Sequence, residues 1–232
     1  RRLFERGVKL NVMALVDSAG FDADGLAKGV ELADSGLKPG DLTELKRLFE
    51  HATTFGSLIQ VPEGLAAKLP ALKQLSEATS QDLFVSEALK RLGPLVQQAE
   101  LLAAQYDAVV ANPPYMGSKG MNPQVKDLAT DYFPNSKADL FAMFIERAIA
   151  QAAGSGRVGI VAPYVWMFLS SYESFRDSIA GQTSISSLIQ LEYNAFEPAC
   201  IPVATFSLIR CPVNNLVGTY VKLSDFKGHQ NQ

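Results

Sequence analysis

The chain has 232 residues, 47% of them hydrophobic and 19% charged, enough for one or two globular domains with full cores. The longest apolar runs, around 158–162 and 203–209, are strand-sized, so neither a membrane span nor a membrane partner is expected. The formal net charge of −3 is a poor footprint for a nucleic-acid binder, which usually shows a basic face.

The sequence opens Arg1-Arg2-Leu3, with neither an initiator Met nor a secretion signal, and is expected to begin inside a longer, cytoplasmic product. Residues 1–16 are expected to hold one strand, on the branched run Val8-Lys9-Leu10-Asn11-Val12-Met13-Ala14-Leu15-Val16. A turn-rich stretch, 17–25, follows and opens a helical part that reaches residue 105. Asp41-Leu42-Thr43-Glu44 has the form of a capping box, with Asp41 as cap and Glu44 reaching back. Leu42, Leu45, Leu48, Phe49 and Ala52 then recur at helical spacing. Leu65, Leu69, Leu72 and Leu75 form a second stripe, interrupted by Pro70. Phe84, Ala88, Leu89, Leu92, Val96, Ala99 and Leu102 form a third. Such stripes are packing surfaces and carry no chemistry. Residues 17–105 are read as a helical insertion in a larger domain.

From Tyr106 the pattern alternates between strand and helix. Tyr106–Ala111 is a short apolar strand that stops at Asn112-Pro113-Pro114. Ser136-Lys137-Ala138-Asp139 resembles a second capping box, ahead of the stripe Leu140, Met143, Phe144, Ala148. Gly154-Ser155-Gly156 is expected to end that helix, and 157–163 to form the next strand. Ser170-Ser171-Tyr172-Glu173 is expected to cap another helix. Strands are expected over 185–191, 202–210 and 217–223, with 224–232 as a tail. This alternation predicts an α/β fold with a mainly parallel sheet covered on both faces, and a ligand crevice at the carboxyl ends of its strands. Cys200 and Cys211 lie near prolines in this region. A disulfide between them can be drawn, but two thiols in an intracellular-looking chain are more often reduced. His51 and His229 are far from them in sequence, and no metal site is expected.

The turn after the first of these strands carries the chemistry. Two prolines in succession have no N–H to pair with a neighbouring strand, and Pro114 disfavours a helical Pro113. The result is a stiff segment that projects the Asn112 amide and the Pro113 carbonyl, both neutral acceptors, beside the flat face of Tyr115. That set suits an exocyclic amine. Such a nitrogen is a weak nucleophile because its lone pair is delocalised into the ring. Two acceptors gripping its two N–H bonds favour a pyramidal nitrogen and carry the positive charge that develops as a methyl group arrives. Alone, the tetrapeptide is more often a plain strand-ending turn. The Tyr-Asp-Ala-Val-Val-Ala strand before it and the alternation after it favour function.

These residues resemble a known family. Tyr106-Asp107-Ala108-Val109-Val110-Ala111-Asn112-Pro113-Pro114-Tyr115 resembles the fourth motif of the amino-methyltransferases that act on adenine in DNA. Asp139-Leu140-Phe141-Ala142-Met143-Phe144 resembles the fifth. The run 156–163 with Trp166 resembles the sixth. Asn194-Ala195-Phe196 followed by 203–210 resembles the eighth. The wording of 115–121 and 166–171 is similar to methyltransferases of BREX phage-exclusion systems, a likeness that extends more thinly over 10–15 and 54–59. The resemblance implies a class I, Rossmann-like methyltransferase sheet. It implies S-adenosylmethionine as cofactor, and duplex DNA with a flipped adenine as substrate. It further implies other defence-system proteins as partners.

By the same resemblance, Asn112 and Pro113 hold the adenine amino group, Pro114 stiffens the turn and Tyr115 stacks on the base. Phe196 contacts the base from the other side, and Phe144 and Asn112 border the cofactor. An ordinary core position explains Phe144 equally well. A helix cap suffices for Asp139. Ser118, Lys119 and Lys126 follow the motif and suit either phosphate contacts or a solvated loop. The family's Gly-rich cofactor turn, its acidic ribose ligand and its target-recognition region have no counterpart in this sequence. The expectation is therefore an internal fragment whose first strands and basic recognition surface lie elsewhere. Two other readings stay open. One is a methyltransferase of a protein glutamine or an RNA base amine, and the other a cofactor-less, inactive interaction module.

Overall fold

A computed structural model of the chain describes residues 7, 11–192 and 201–223. The chain divides into two compact units, residues 1–103 and 104–232.

The described part of the first unit is helical. Its helices are α1 (Ala23–Gly29), α2 (Pro39–Leu48), α3 (Ala52–Phe55), α4 (Glu63–Ala66), α5 (Leu69–Ser76) and α6 (Leu83–Ala103). The predicted stripes form its core. Leu42, Leu45 and Phe49 meet Leu72 from α5 and Leu92, Val96 and Ala99 from α6. Phe84 is a correction: it is 86% exposed, and the inner face of α6 begins at Val85. Asp41 does not cap α2. The helix starts at Pro39, a favoured first-turn proline, and the Asp41 carboxylate accepts the Lys38 N–H at 2.7 Å from the third helical position. Pro70 likewise opens α5, so the second stripe belongs to two helices, α4 and α5.

The strand expected over 8–16 is not formed in its described part, residues 11–16. A side chain has taken the place of a partner strand. The Gln98 amide, fully buried on α6, accepts the Val16 N–H at 2.9 Å and donates to the Val16 carbonyl at 3.0 Å. Both backbone groups are thereby satisfied without a ladder.

The second unit is α/β. Its elements are β1 (Tyr106–Ala111), α7 (Pro123–Tyr132), α8 (Leu140–Gln151), β2 (Ala152–Pro163), α9 (Glu173–Gln182), β3 (Ser184–Gln190), β4 (Val203–Ile209) and β5 (Thr219–Lys222). The sheet order is β1-β2-β4-β3-β5. β1 pairs parallel to β2 and β3 parallel to β5, while β4 runs antiparallel to both of its neighbours. Four of the five strands therefore point one way, as the mainly parallel expectation requires.

Register places Val109 and Ala111 beside Val158 and Ile160, in line with Leu208 and Phe206 across β4. That face is packed against Phe141, Ile145 and Ala148 of α8 and Phe175 and Ile179 of α9. Coverage of both faces was expected, and the structure corrects this at β1. Val110, on the opposite face, is 83% exposed.

The caps also differ from expectation. Ser136 does not cap α8; its hydroxyl donates to the Glu146 carboxylate, and Asp139 is the cap. A 3₁₀ turn, Ser170–Tyr172, leads into α9 without a side-chain cap. Gly154-Ser155-Gly156 is not a helix-ending turn. It lies inside β2, where Tyr106 pairs with Ala152 but Ala108 pairs with Arg157, so three extra residues bulge from the ladder. At Gly156 a Cβ would meet the Tyr106 carbonyl oxygen at 2.9 Å, which explains the glycine.

Gln98→Leu keeps the volume and removes both bonds to Val16. Urea denaturation should show a loss of about 1–2 kcal/mol, the usual range for leaving part-buried backbone groups without partners. An unchanged midpoint would show that the clamp contributes nothing.

Candidate active site

The parallel run of β1 and β2 ends where the two prolines begin. Pro113 is buried, whereas Asn112 and Pro114 are exposed. The chain then folds Tyr115 back onto the sheet, where its half-buried ring packs against the core cluster. Its hydroxyl donates to Asn112 Oδ1 at 3.2 Å and lies 3.5 Å from the Val161 carbonyl. Burial pushes the Tyr115 hydroxyl above its usual range, so at neutral pH it stays protonated and remains a donor. The Asn112 oxygen has two acceptor positions. One is turned toward Tyr115, and the side chain is fixed with the second still available.

The exit from the turn is tied down just as closely. Asp139 Oδ1 accepts the Met116 N–H at 3.1 Å and the Phe141 N–H at 3.2 Å, the second being the cap of α8. The Leu140 N–H donates to the Met116 carbonyl at 3.0 Å, and the Ser118 N–H to the Ala138 carbonyl at 3.0 Å. Gly117 and Asp139 thus form an isolated antiparallel bridge. One carboxylate joins the strand-end turn to the helix behind it. Burial raises the Asp139 carboxyl above its ordinary value, and its backbone N–H bonds pull against that shift. Tyr172, buried nearby, is pushed up by its own burial and then by the Asp139 charge. The sequence reading of Asp139 as a cap is correct but incomplete, because the Met116 bond spans 23 residues and no local pattern announces it.

Phe144 is half-buried on α8 and stands outside the packed cluster that contains Phe141 and Ile145. Trp166 is 4% exposed, edge-on to Phe175, and its indole N–H has no hydrogen-bond partner among the described residues. Arg176 fixes the turn that carries it, donating to the Trp166 carbonyl at 2.8 Å and to Leu169 at 2.6 Å. Phe196 and Cys200 lie outside the described residues; Cys211 is half-buried with a free thiol. Arg147, buried on α8, escaped the sequence reading. Desolvation holds its guanidinium down to about 10. The helix α7 was missed as well, although Asn122-Pro123 announces it. Asn122 Oδ1 accepts the Val125 N–H at 2.8 Å and Pro123 takes the first helical position.

Two substitutions separate the bonds of Asp139 from its charge. In the fold this carboxyl titrates above 3.8. Its contribution to stability is therefore fully present below the unfolded value and is lost as pH rises through the raised one. Asp139→Asn keeps the acceptor and removes the charge, so its melting temperature should rise relative to the native chain between acid and neutral pH. Asp139→Ala should lose about 1 kcal/mol throughout, as other cap deletions do. If Asn proves as damaging as Ala at neutral pH, the charge itself is required.

Comparison with known proteins adds to this geometry. The family described as Eco57I restriction-modification methylase matches residues 41–196. The adenine-specific methyltransferase BrxX of Escherichia coli O9:H4 (strain HS) is 39% identical over 222 residues, covering 84% of this chain and 18% of its own length. The adenine-specific methyltransferase PglX of Lacticaseibacillus casei (strain Zhang) is 28% identical over 206 residues, covering 85% of this chain and 17% of its own length. The chain thus spans less than a fifth of the length of either relative. Among solved structures, the Type ISP restriction-modification enzyme LlaGI, in complex with a DNA substrate mimic, is 15% identical with a TM-score of 0.46. The match covers 94% of this chain and 22% of that one.

Proposed function

Because the chain belongs to the Eco57I restriction-modification methylase family, we propose that it is part of an enzyme that methylates N6 of adenine in DNA and acts in phage defence alongside other defence proteins. The observation that carries this reading is the exposed Asn112 amide at the carboxyl end of β1, its oxygen held by the Tyr115 hydroxyl.

The target amine enters opposite Tyr115. One N–H bonds to the free acceptor position of Asn112 and the other to the Pro113 carbonyl. Both acceptors were placed by folding, so they need no reorganisation as the nitrogen gains positive charge. Pro114 fixes the direction in which they point. The ring of Tyr115 offers a face for an adenine swung out of the duplex, and Phe196 would close on the other side. The free part of Phe144 and the side chain of Asn112 suit the donor S-adenosylmethionine, whose contribution is an electrophilic sulfonium methyl group. The second edge of β1 has no partner strand among the described residues, and Val110 beside it is exposed. We place there the strands and Gly-rich turn that the resemblance implies. The helical unit is then an insertion in the same domain.

Sequencing for methyladenine in cells with and without the whole gene tests the reading. Asn112→Ala should abolish the mark, and a surviving mark would remove Asn112 from the chemistry. Tyr115→Phe keeps the ring and releases Asn112, so the methylation rate should fall by about tenfold, a scale set by small losses of positioning. Tyr115→Ala also removes the stacking face and should weaken base binding by a further ~1–3 kcal/mol. Equal rates for Phe and the native residue would leave the hydroxyl without a role.

A further inference from the structure

Lys119, Lys126 and Lys137 come from three separate segments, yet all three line one cavity of about 560 Å³, whose wall begins at Ser118, three residues after Tyr115. Ser118 and Thr130 add hydroxyls to its wall, over a floor that includes the buried Met121 and Ala129. None of the three lysines is ion-paired among the described residues. Three cations gathered on a concave surface, in a chain with a net charge of −3, make a local field that the overall composition conceals.

The lysines are also placed. Lys119 follows Ser118 and Lys137 precedes Ala138, and those two neighbours are joined by the Ser118 N–H to Ala138 carbonyl bond. Lys126 stands in the first turn of α7, behind the Asn122 cap. The Asp139 tie that holds Met116 holds this pair of segments as well. From Asn112 to Lys119 the chain can reach at most ~25 Å. Successive phosphates along one DNA strand advance by about 3.4 Å, so the cavity lies at most about seven nucleotides from a base held at Asn112.

We infer that this cavity is a phosphate clamp, which grips the DNA backbone on the same side of the molecule as Asn112, within about seven nucleotides of the target adenine. The inference rests on the DNA reading above and adds the surface that holds the strand. It favours phosphate contacts over the solvated loop that the sequence left open for Ser118, Lys119 and Lys126, because all three line the cavity together with Lys137. Lys137, from beyond the next helix, supplies the third charge that a loop alone would not gather. Such contacts carry no base specificity.

Anisotropy titrations of a labelled duplex with the full chain, over a series of salt concentrations, test the clamp. Neutralising three contacts, in K119Q/K126Q/K137Q, should flatten the slope of log affinity against log salt by about 2.7, at ~0.9 per phosphate. The loss should be the same on duplexes with and without adenine. The control K28Q/K38Q/K90Q removes the same charge from the first unit and should leave the slope nearly unchanged. Equal flattening in both triples, or none in the first, overturns the inference. Acetylation footprinting of the native chain needs no variant. Duplex DNA should protect Lys119, Lys126 and Lys137 but not Lys28. Inorganic phosphate alone should not protect them, and equal protection by it would mark a free-phosphate site instead. A footprint that persists while the methyl mark survives Asn112→Ala would sink the catalytic reading and leave the clamp standing. A mark that depends on Asn112 without any footprint would sink the clamp alone.

Discussion

The site depends on one carboxylate. Asp139 accepts the N–H of Met116, just beyond the Asn-Pro-Pro-Tyr turn, and the N–H of Phe141, in the first turn of α8. The turn has no ladder of its own, because its prolines cannot donate. Without that carboxylate its exit would be held only by the neighbouring backbone bridge. Burial disfavours the charge and raises the Asp139 carboxyl above its ordinary value. The return is positional: the helix, the turn exit and the lysine-bearing segments beyond it are joined through that carboxylate and its neighbouring bridge.

A second constraint acts at the turn itself. Tyr115 folds back onto the core and directs its hydroxyl at Asn112. A neutral amide is a modest acceptor, and its value for catalysis lies in being already oriented when charge develops. The Tyr115 hydroxyl fixes the orientation of this one. The same side chain therefore packs its ring against the core and aligns the Asn112 oxygen with its hydroxyl.

Much of this was legible in the sequence. The turn, the strand before it and the alternation after it predicted an α/β sheet with a site at a strand end, and β1 ends at Asn112's doorstep. Core stripes in the helical unit were readable because a helix repeats its inner face every three to four residues. Caps were read less well. Asp41, Ser136 and Ser170 each fit a local pattern, but Asp41 reaches back from the third helical position, Ser136 bonds to Glu146 instead, and α9 begins without a side-chain cap. Gly154-Ser155-Gly156 was misplaced for a related reason. A glycine cluster marks backbone freedom, and nothing local says whether that freedom ends a helix or bulges a strand.

The sequence by itself determined which groups stand together: two neutral acceptors and an aromatic ring, on a stiff turn at a strand end. Those properties belong to residue types in a short window, so they survive without the rest of the chain. Only the tertiary structure decided how they are held. The Asp139 bond to Met116, the Gln98 bonds to Val16 and the meeting of Lys119, Lys126 and Lys137 each join positions distant in the chain. Such contacts exist only after the sheet and helices have packed, and local propensity contains no record of them.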